Sequence, residues 1–332
     1  MTAEQKRPWT ATRLPTNEYV GMAHGGTDCC KYTVLADAME PHLPPLAVTQ
    51  RMTTAQQDSL LDRFDRERPL IGMVHLPALP GAPEFGGDRA ALHERAHEDA
   101  TRLEFGGIDA IMLENFGDAP FYPETVPAHV VADMTAIAST VADAVDVPIG
   151  INVLRNDAEA ALSIAAAVDA DFIRTNVHVG TAATDQGVLE GRAYETVRLR
   201  ERIAPDVAIL ADVHVKHATP VGETAIEQAA LETVERGKAD GVIVSGSGTG
   251  NETALEDVER VAAERSAHEI QAPVFVGSGV TADTVGNCFA AGADGAIVGT
   301  ALKEDGATTN PVDSSRVESV VTAAQRAYSS DT

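Results

Sequence analysis

Eight short apolar runs, each followed by a segment of helical length, recur between Pro69 and Tyr328, and no other feature narrows the fold as far. The runs are LIGMVHL (70–76), IDAIMLENF (108–116), PIGINVL (148–154), DFIRTNVH (171–178), AILADVHVKH (208–217), GVIVSG (241–246), PVFVG (273–277) and GAIVGT (295–300). Such runs, bounded by Gly, Pro and Asp, read as buried parallel strands alternating with helices. Helices are expected over 88–105, 125–144, 157–168, up to 203, 223–236, 253–265, after an N-cap at Thr281, and over 314–328. Eight such units in roughly 260 residues match an α/β fold of one kind, a single (β/α)8 TIM barrel. A doubly wound open sheet would carry its glycine fingerprint after the first strand, and no G-x-G-x-x-G stands there.

Barrels of this kind bind ligands at the C-terminal ends of their strands, with phosphate commonly held after strands seven and eight. Gly277-Ser278-Gly279 and Gly299-Thr300 fall at those two ends. Glycine lets backbone N–H groups approach an anion closely, so these five residues, with Gly246 and Gly248 after strand six, form the expected phosphate grip. The plainer alternative is that the glycines serve tight turns.

Alternation along each strand sorts the polar residues by face. Asp212, His214 and Lys216 share one face of strand five, opposite Ile209, Ala211, Val213 and Val215. Three ionisable groups cannot point into a helix layer without a large desolvation penalty, so that face should line the barrel mouth. The same sorting sends Arg174, Asn176 and His178 inward from strand four, Asn152 from strand three and Glu114 from strand two, and leaves His75 near the end of strand one. Glu114, Asp212, Lys216 and His214 are the expected catalytic groups, and His75, Asn152, Arg174, Asn176 and His178 the expected substrate contacts. An ion-paired plug of Glu114 and Asp212 with Arg174 and Lys216 is the structural alternative. A divalent metal on Glu114, His178, Asp212 and His214 is a further option, since imidazole and carboxylate suit Mg²⁺, Mn²⁺ or Zn²⁺, although no spacing enforces it.

Composition bounds the partners. With 50 acidic against 25 basic residues the net charge is -25. Such a surface repels nucleic acid and anionic membrane. The scarcity of lysine beside abundant carboxylates is the expected signature of a high-salt cytoplasm. Three cysteines, two of them adjacent, give neither a disulfide framework nor zinc spacing and fit a reducing cytoplasm. No run of about 18 apolar residues predicts a membrane span, and no motif calls for a redox cofactor. Residues 1–51, with scattered prolines and no sustained period, are expected to be a disordered extension or an over-long gene start, with a helix over 52–68 leading into the barrel at 69–328.

The runs GMVHLPALPGAPEFGG, DAIMLENFGDAPF, GINVLRNDAEAAL, ADFIRTNVHVG, TDQGVLEG, ADVHVKHA, GVIVSGSGTG, VGSGVTADT and IVGTALKEDGATTNPVD, in order across 69–316, resemble the BtpA/SgcQ family. The resemblance implies a barrel of the ribulose-phosphate-binding type; the family takes its name from photosystem I accumulation in cyanobacteria, and other members sit in sugar-utilisation gene sets. It transfers no catalytic residue. Three readings follow: an isomerase or lyase acting on a phosphorylated sugar or nucleoside-derived metabolite, a non-catalytic photosystem I assembly or stability factor, and a metal-dependent phosphate-ester or nucleoside hydrolase. The first carries the most of the residues above. Homo-oligomers are common among barrels, but no interface is legible in the chain.

Overall fold

The computed structural model describes residues 60–64, 66–246 and 248–331, so the expected extension over 1–51 lies outside the described residues. Eleven strands follow in chain order: β1 (Leu70–His75), β2 (Ala110–Glu114), β3 (Ile149–Asn152), β4 (Phe172–Thr175), β5 (Thr181–Thr184), β6 (Gly187–Glu190), β7 (Ala208–Val213), β8 (Ala218–Pro220), β9 (Gly241–Val244), β10 (Val274–Val276) and β11 (Gly295–Val298). Eight of them close into a parallel barrel in the cyclic order β1-β2-β3-β4-β7-β9-β10-β11. Every residue of those eight strands is buried, because side chains of one phase pack on helices and those of the other fill the barrel. This is why the runs read as continuous rather than alternating apolar segments.

The helices are α1 (Arg89–Phe105), α2 (Ala128–Ala142), α3 (Ala158–Val168), α4 (Ala193–Ile203), α5 (Ile226–Glu235), α6 (Leu255–Ala267), α7 (Val285–Ala290) and α8 (Ser314–Asp331). Asp88 and Asp157 cap α1 and α3 by accepting the N–H of Ala90 and Ala160. The expected cap at Thr281 falls elsewhere. Its hydroxyl accepts from Asp283 N–H in a preceding turn, and α7 begins only after Thr284.

A repeated aspartate registers the barrel. Asp109, Asp171, Asp240 and Asp294 each stand one residue before a strand. Each accepts the N–H of Leu70, Ile149, Ile209 or Val274 at the start of a strand one step back, at 2.9, 2.9, 2.7 and 2.8 Å. Such charge-assisted bonds satisfy strand-end donors that would otherwise be orphaned.

Inside the barrel, Met73, Met112, Phe172, Leu210, Ile243 and Phe275 form an apolar column. Phe64 closes its N-terminal end, edge-on to Phe172 at 6.3 Å and to Phe275 at 6.4 Å. The helix expected over 52–68 is, in its described part, a single 3-10 turn at Leu60–Arg63 that brings Leu60 and Phe64 under this column. At the other end, β5 pairs antiparallel with both β6 and β8 to form a small sheet from the loops after β4 and β7. Val177, Ala182, Leu189 and Val215 pack beneath it. The loop over 180–191 is therefore a hairpin fastened to the segment that follows Lys216. No helix among the described residues is long and apolar enough to cross a membrane.

The surplus of carboxylates gives a first expectation. A net charge of -25 repels itself in the folded state. Raising KCl from about 0.1 to 1 M shortens the Debye length from about 10 to about 3 Å. Thermal melting followed by circular dichroism should therefore show a midpoint that climbs with KCl; a flat or falling midpoint would remove surface repulsion from the account.

Candidate functional site

Register builds the floor of the barrel mouth. His75 pairs across β1 and β2 with Glu114, Glu114 with Asn152 on β3, and Asn152 with Arg174 on β4, so four polar side chains stand in one row. Asn152 Nδ2 donates to Glu114 Oε2 at 2.6 Å. His75 Nε2 lies 3.9 Å from Glu114 Oε1, beyond hydrogen-bond reach. Burial, with Lys303, Lys216 and Arg174 nearby, holds the His75 imidazole well below its ordinary pKa and keeps it neutral at pH 7.

Above this row Arg174 grips Asp212 with two parallel bonds, Nε to Oδ2 and Nη2 to Oδ1, both 2.8 Å, and both side chains are almost wholly buried. Asn176 Nδ2 donates to Asp212 Oδ2 at 2.9 Å and Ser245 Oγ to Oδ1 at 3.0 Å. Asp212 thus accepts four bonds, the full capacity of a carboxylate. The catalytic role expected for it is corrected accordingly, since no lone pair is left for a substrate proton; Asp212 anchors Arg174 and Asn176. Glu114 Oε1 meets no such donor among the described residues.

Lys216 is partly buried, and its backbone carbonyl accepts from Arg155 Nη2 at 2.7 Å. Burial and the Arg174 charge pull its ammonium below the ordinary lysine pKa, against the opposing influence of Glu114 and Asp212. It shares a cavity of about 460 Å³ with His75 and Arg174 on one side and with Gly277, Ser278, Gly279, Gly299 and Thr300 on the other. Thr249, Gly250 and Arg316 complete the wall. Among the described residues, the N–H groups of Ser278, Gly279 and Thr300 meet no protein acceptor, whereas that of Gly277 is held by Val244 O at 2.8 Å.

Several expected residues lie elsewhere. His214 was placed inward by alternation, but β7 ends at Val213 and His214 adopts φ +50°, which breaks the two-residue period. It is absent from the wall of that cavity and lines a neighbouring pocket with Lys216, Ser245, Asp257 and Arg260. His178 likewise leaves the mouth, because the Asn156 side chain takes the N–H groups of Asn176 and Val177 just past the end of β4. Its Nε2 bonds Gly237 O at 2.8 Å near the end of α5, and burial lowers its pKa. With both imidazoles turned away, the metal set of Glu114, His178, Asp212 and His214 is not assembled. No group of three or more His, Cys, Asp or Glu able to hold a metal ion occurs among the described residues.

Gly246 and Gly248 also stand outside the cavity wall. A Cβ on Gly246 would lie 2.5 Å from Glu252 O, so this glycine serves a close backbone approach, while Gly248 packs on Asn251 and His217. The Ser278 hydroxyl lies 2.8 Å from Gly248 O and 2.7 Å from Asn251 O, which leaves its backbone rather than its side chain to face a ligand. Ser245, Thr249 and Arg316 were not foreseen. Alternation from Ile243 marks Ser245 as inward, whereas nothing local in the sequence marks Arg316, which α8 delivers from the far end of the chain.

Fold and cavity together define a TIM barrel whose polar C-terminal mouth opens onto the glycine turns of its last two strands. The chain belongs to the BtpA family, whose model matches residues 66–326. It is 46% identical over 264 residues to the photosystem I biogenesis protein BtpA of Synechocystis, covering 80% of this chain and 90% of that one. It is 47% identical to an uncharacterized protein of Thermococcus kodakarensis, covering 78% and 95% of the two chains. Among solved structures, phosphoribosylanthranilate isomerase from Pyrococcus furiosus is similar at 14% identity and a TM-score of 0.49, over 78% of this chain and 100% of that one.

Proposed function

We propose that the chain is an enzyme acting on a phosphorylated small molecule that carries a carbonyl group, by isomerase or lyase chemistry. The observation that carries this reading is the shared cavity, in which unoccupied amides at Gly279 and Thr300 face the same space as Lys216, Arg174 and His75. Backbone N–H groups at strand ends suit a phosphate dianion, and binding energy from that remote group positions the reacting carbons. The Lys216 amine adds to the substrate carbonyl carbon, and water leaves with the carbonyl oxygen to give an imine. Glu114, with Oε1 free, moves the adjacent carbon-bound proton. Neutral His75 and the Arg174 guanidinium polarise the developing oxyanion.

The test is borohydride trapping with a panel of phosphorylated aldoses and ketoses. Hydride adds to the imine carbon and leaves a stable secondary amine on Lys216, visible by peptide mass spectrometry. Imine formation needs the neutral amine, whose fraction rises with pH. Because burial lowers the Lys216 pKa, trapping should plateau below the pH expected for an exposed lysine, near 10.4. Label on exposed lysines alone, with none on Lys216, would remove the covalent step.

A second reading is supported by the Synechocystis relative's name, that of a photosystem I biogenesis protein. A non-catalytic factor would have no use for an inward row of charge. Surface substitutions that abolish the cellular phenotype, while Lys216→Met preserves it, would favour this second reading. The hydrolase reading has no metal ligand set among the described residues.

A further inference from the structure

We infer that the carbonyl group of the substrate is flanked by a carboxylate held at Arg174, so that the ligand class is a phosphorylated 2-oxo acid. This deepens, and rests on, the imine step proposed above. Asp212 takes Nε and Nη2 of Arg174, and among the described residues no acceptor meets Nη1. The side chain is 1% exposed and lines the cavity. Buried donors are ordinarily paired, so a bare guanidinium nitrogen on a cavity wall marks the place of a ligand acceptor. Nη1 carries two N–H groups, which suit the carbonyl oxygen and one oxygen of a carboxylate on the adjacent carbon.

The charge of the wall points the same way. In a chain with 50 acidic and 25 basic residues, the described wall of this cavity holds Arg174, Lys216 and Arg316 against one acid, the exposed Asp283. Arg316 comes from α8, which packs on the 3-10 turn that begins at Thr300, and so stands at the phosphate end. Arg174 and Lys216 stand at the strand end, where no carboxylate among the described residues pairs with the Lys216 amine. Phosphate on the turns therefore leaves this second cationic end without an anion of its own.

The imine sharpens the requirement. Once protonated, it places a positive charge on the Lys216 nitrogen two bonds from the carboxylate carbon of a 2-oxo acid. At that separation an anion stabilises the cation, whereas a hydroxymethyl group in the same place brings no charge. An ammonium on the ligand would meet Arg174 and Lys216 as like charges.

The experiment treats the full chain with borohydride and, at equal concentration, either pyruvate or hydroxyacetone, which has a hydroxymethyl group where pyruvate has its carboxylate. In each case the Lys216 amine adds to the carbonyl carbon, water leaves, and hydride reduces the imine to a secondary amine that peptide mass spectrometry counts. Label on the exposed Lys238 corrects for the intrinsic reactivity of each ketone. The corrected label on Lys216 should be at least about tenfold greater from pyruvate, the usual effect of a hydrogen bond between charged groups. Arg174→Lys, shown by circular dichroism to be folded, should bring that ratio towards one. Saturation with pyruvate should leave calorimetric binding of inorganic phosphate in place, because the two anions occupy different ends of the cavity. A wild-type ratio near one would overturn the inference and leave the phosphorylated-carbonyl reading standing, and an unchanged ratio in the variant would take the role away from Arg174. Mutual exclusion of pyruvate and phosphate would also overturn it, by putting the Arg174 donors on the phosphate. Phosphate that binds in neither condition would instead overturn the phosphate reading, whatever the label ratio. Label on Lys238 but on Lys216 from neither ketone would remove the imine step and this inference with it.

Discussion

Replacing Asp212 with alanine should lower the stability of the folded chain by about 3–5 kcal/mol, the usual consequence of breaking a buried ion pair from one side. The penalty arises less from the lost attraction than from what remains. Arg174, with a side chain 1% exposed, would keep a full charge with no partner for its Nε and Nη2 donors. Asn176 and Ser245 would lose their acceptor as well. At about 2–4 °C per kcal/mol for a domain of this size, the midpoint of thermal unfolding should fall by about 6–20 °C. Glu114→Gln removes a charge that no guanidinium grips and should melt within a few degrees of wild type while losing turnover. If Asp212→Ala melted as wild type does, the four-bonded anchor would be wrong, and Asp212 would return as a free acid-base group.

Gly279→Ala should weaken binding of inorganic phosphate by at least about a hundredfold, equal to 2.7 kcal/mol or more. Two effects combine. The residue has φ +68°, a left-handed conformation that costs a side-chain-bearing residue about 1–2 kcal/mol. An added Cβ would also fall 2.4 Å from Glu252 Cα and 2.6 Å from Asn251 O, backbone atoms that yield only if the turn opens. Opening it displaces the amides proposed to hold the phosphate. Gly180 separates the two effects, since it has φ +78° but nothing within 4 Å of an added Cβ. Gly180→Ala should destabilise slightly and leave phosphate affinity unchanged. Equal phosphate affinity in Gly279→Ala and wild type, measured by calorimetry, would show that the turn after β10 is not the grip.

The barrel was legible because its signal is periodic and redundant. Eight buried strands gave eight unbroken apolar runs, and the aspartates that register the strands supplied the punctuation between them. Within regular strand the facing of side chains was legible too. Glu114, Asn152, Arg174 and Asp212 point inward because each lies inside a strand, where the two-residue period holds. The same rule failed one or more residues later. Left-handed backbone at His214 breaks the period, so His214 reaches only the pocket of Asp257 and Arg260, whereas Lys216 lines that pocket and the main cavity as well. A strand that ends early is hard to see in a run such as ADVHVKH, where valines continue past the last ladder pair. Contacts between distant loops were beyond sequence reasoning altogether. The hold of Ser278 on the 248–251 loop and the arrival of Arg316 from α8 depend on closure of the whole barrel.

A crystal structure of the protein soaked with ribose 5-phosphate tests the central claim most directly, because it asks whether one ligand spans both halves of the cavity. The account predicts phosphate oxygens within about 3 Å of the N–H groups of Gly279 and Thr300, and the carbonyl end of the chain against Lys216, beside His75 and Arg174. Phosphate at some other surface, or at the turns with the carbon chain directed out to solvent, would contradict it.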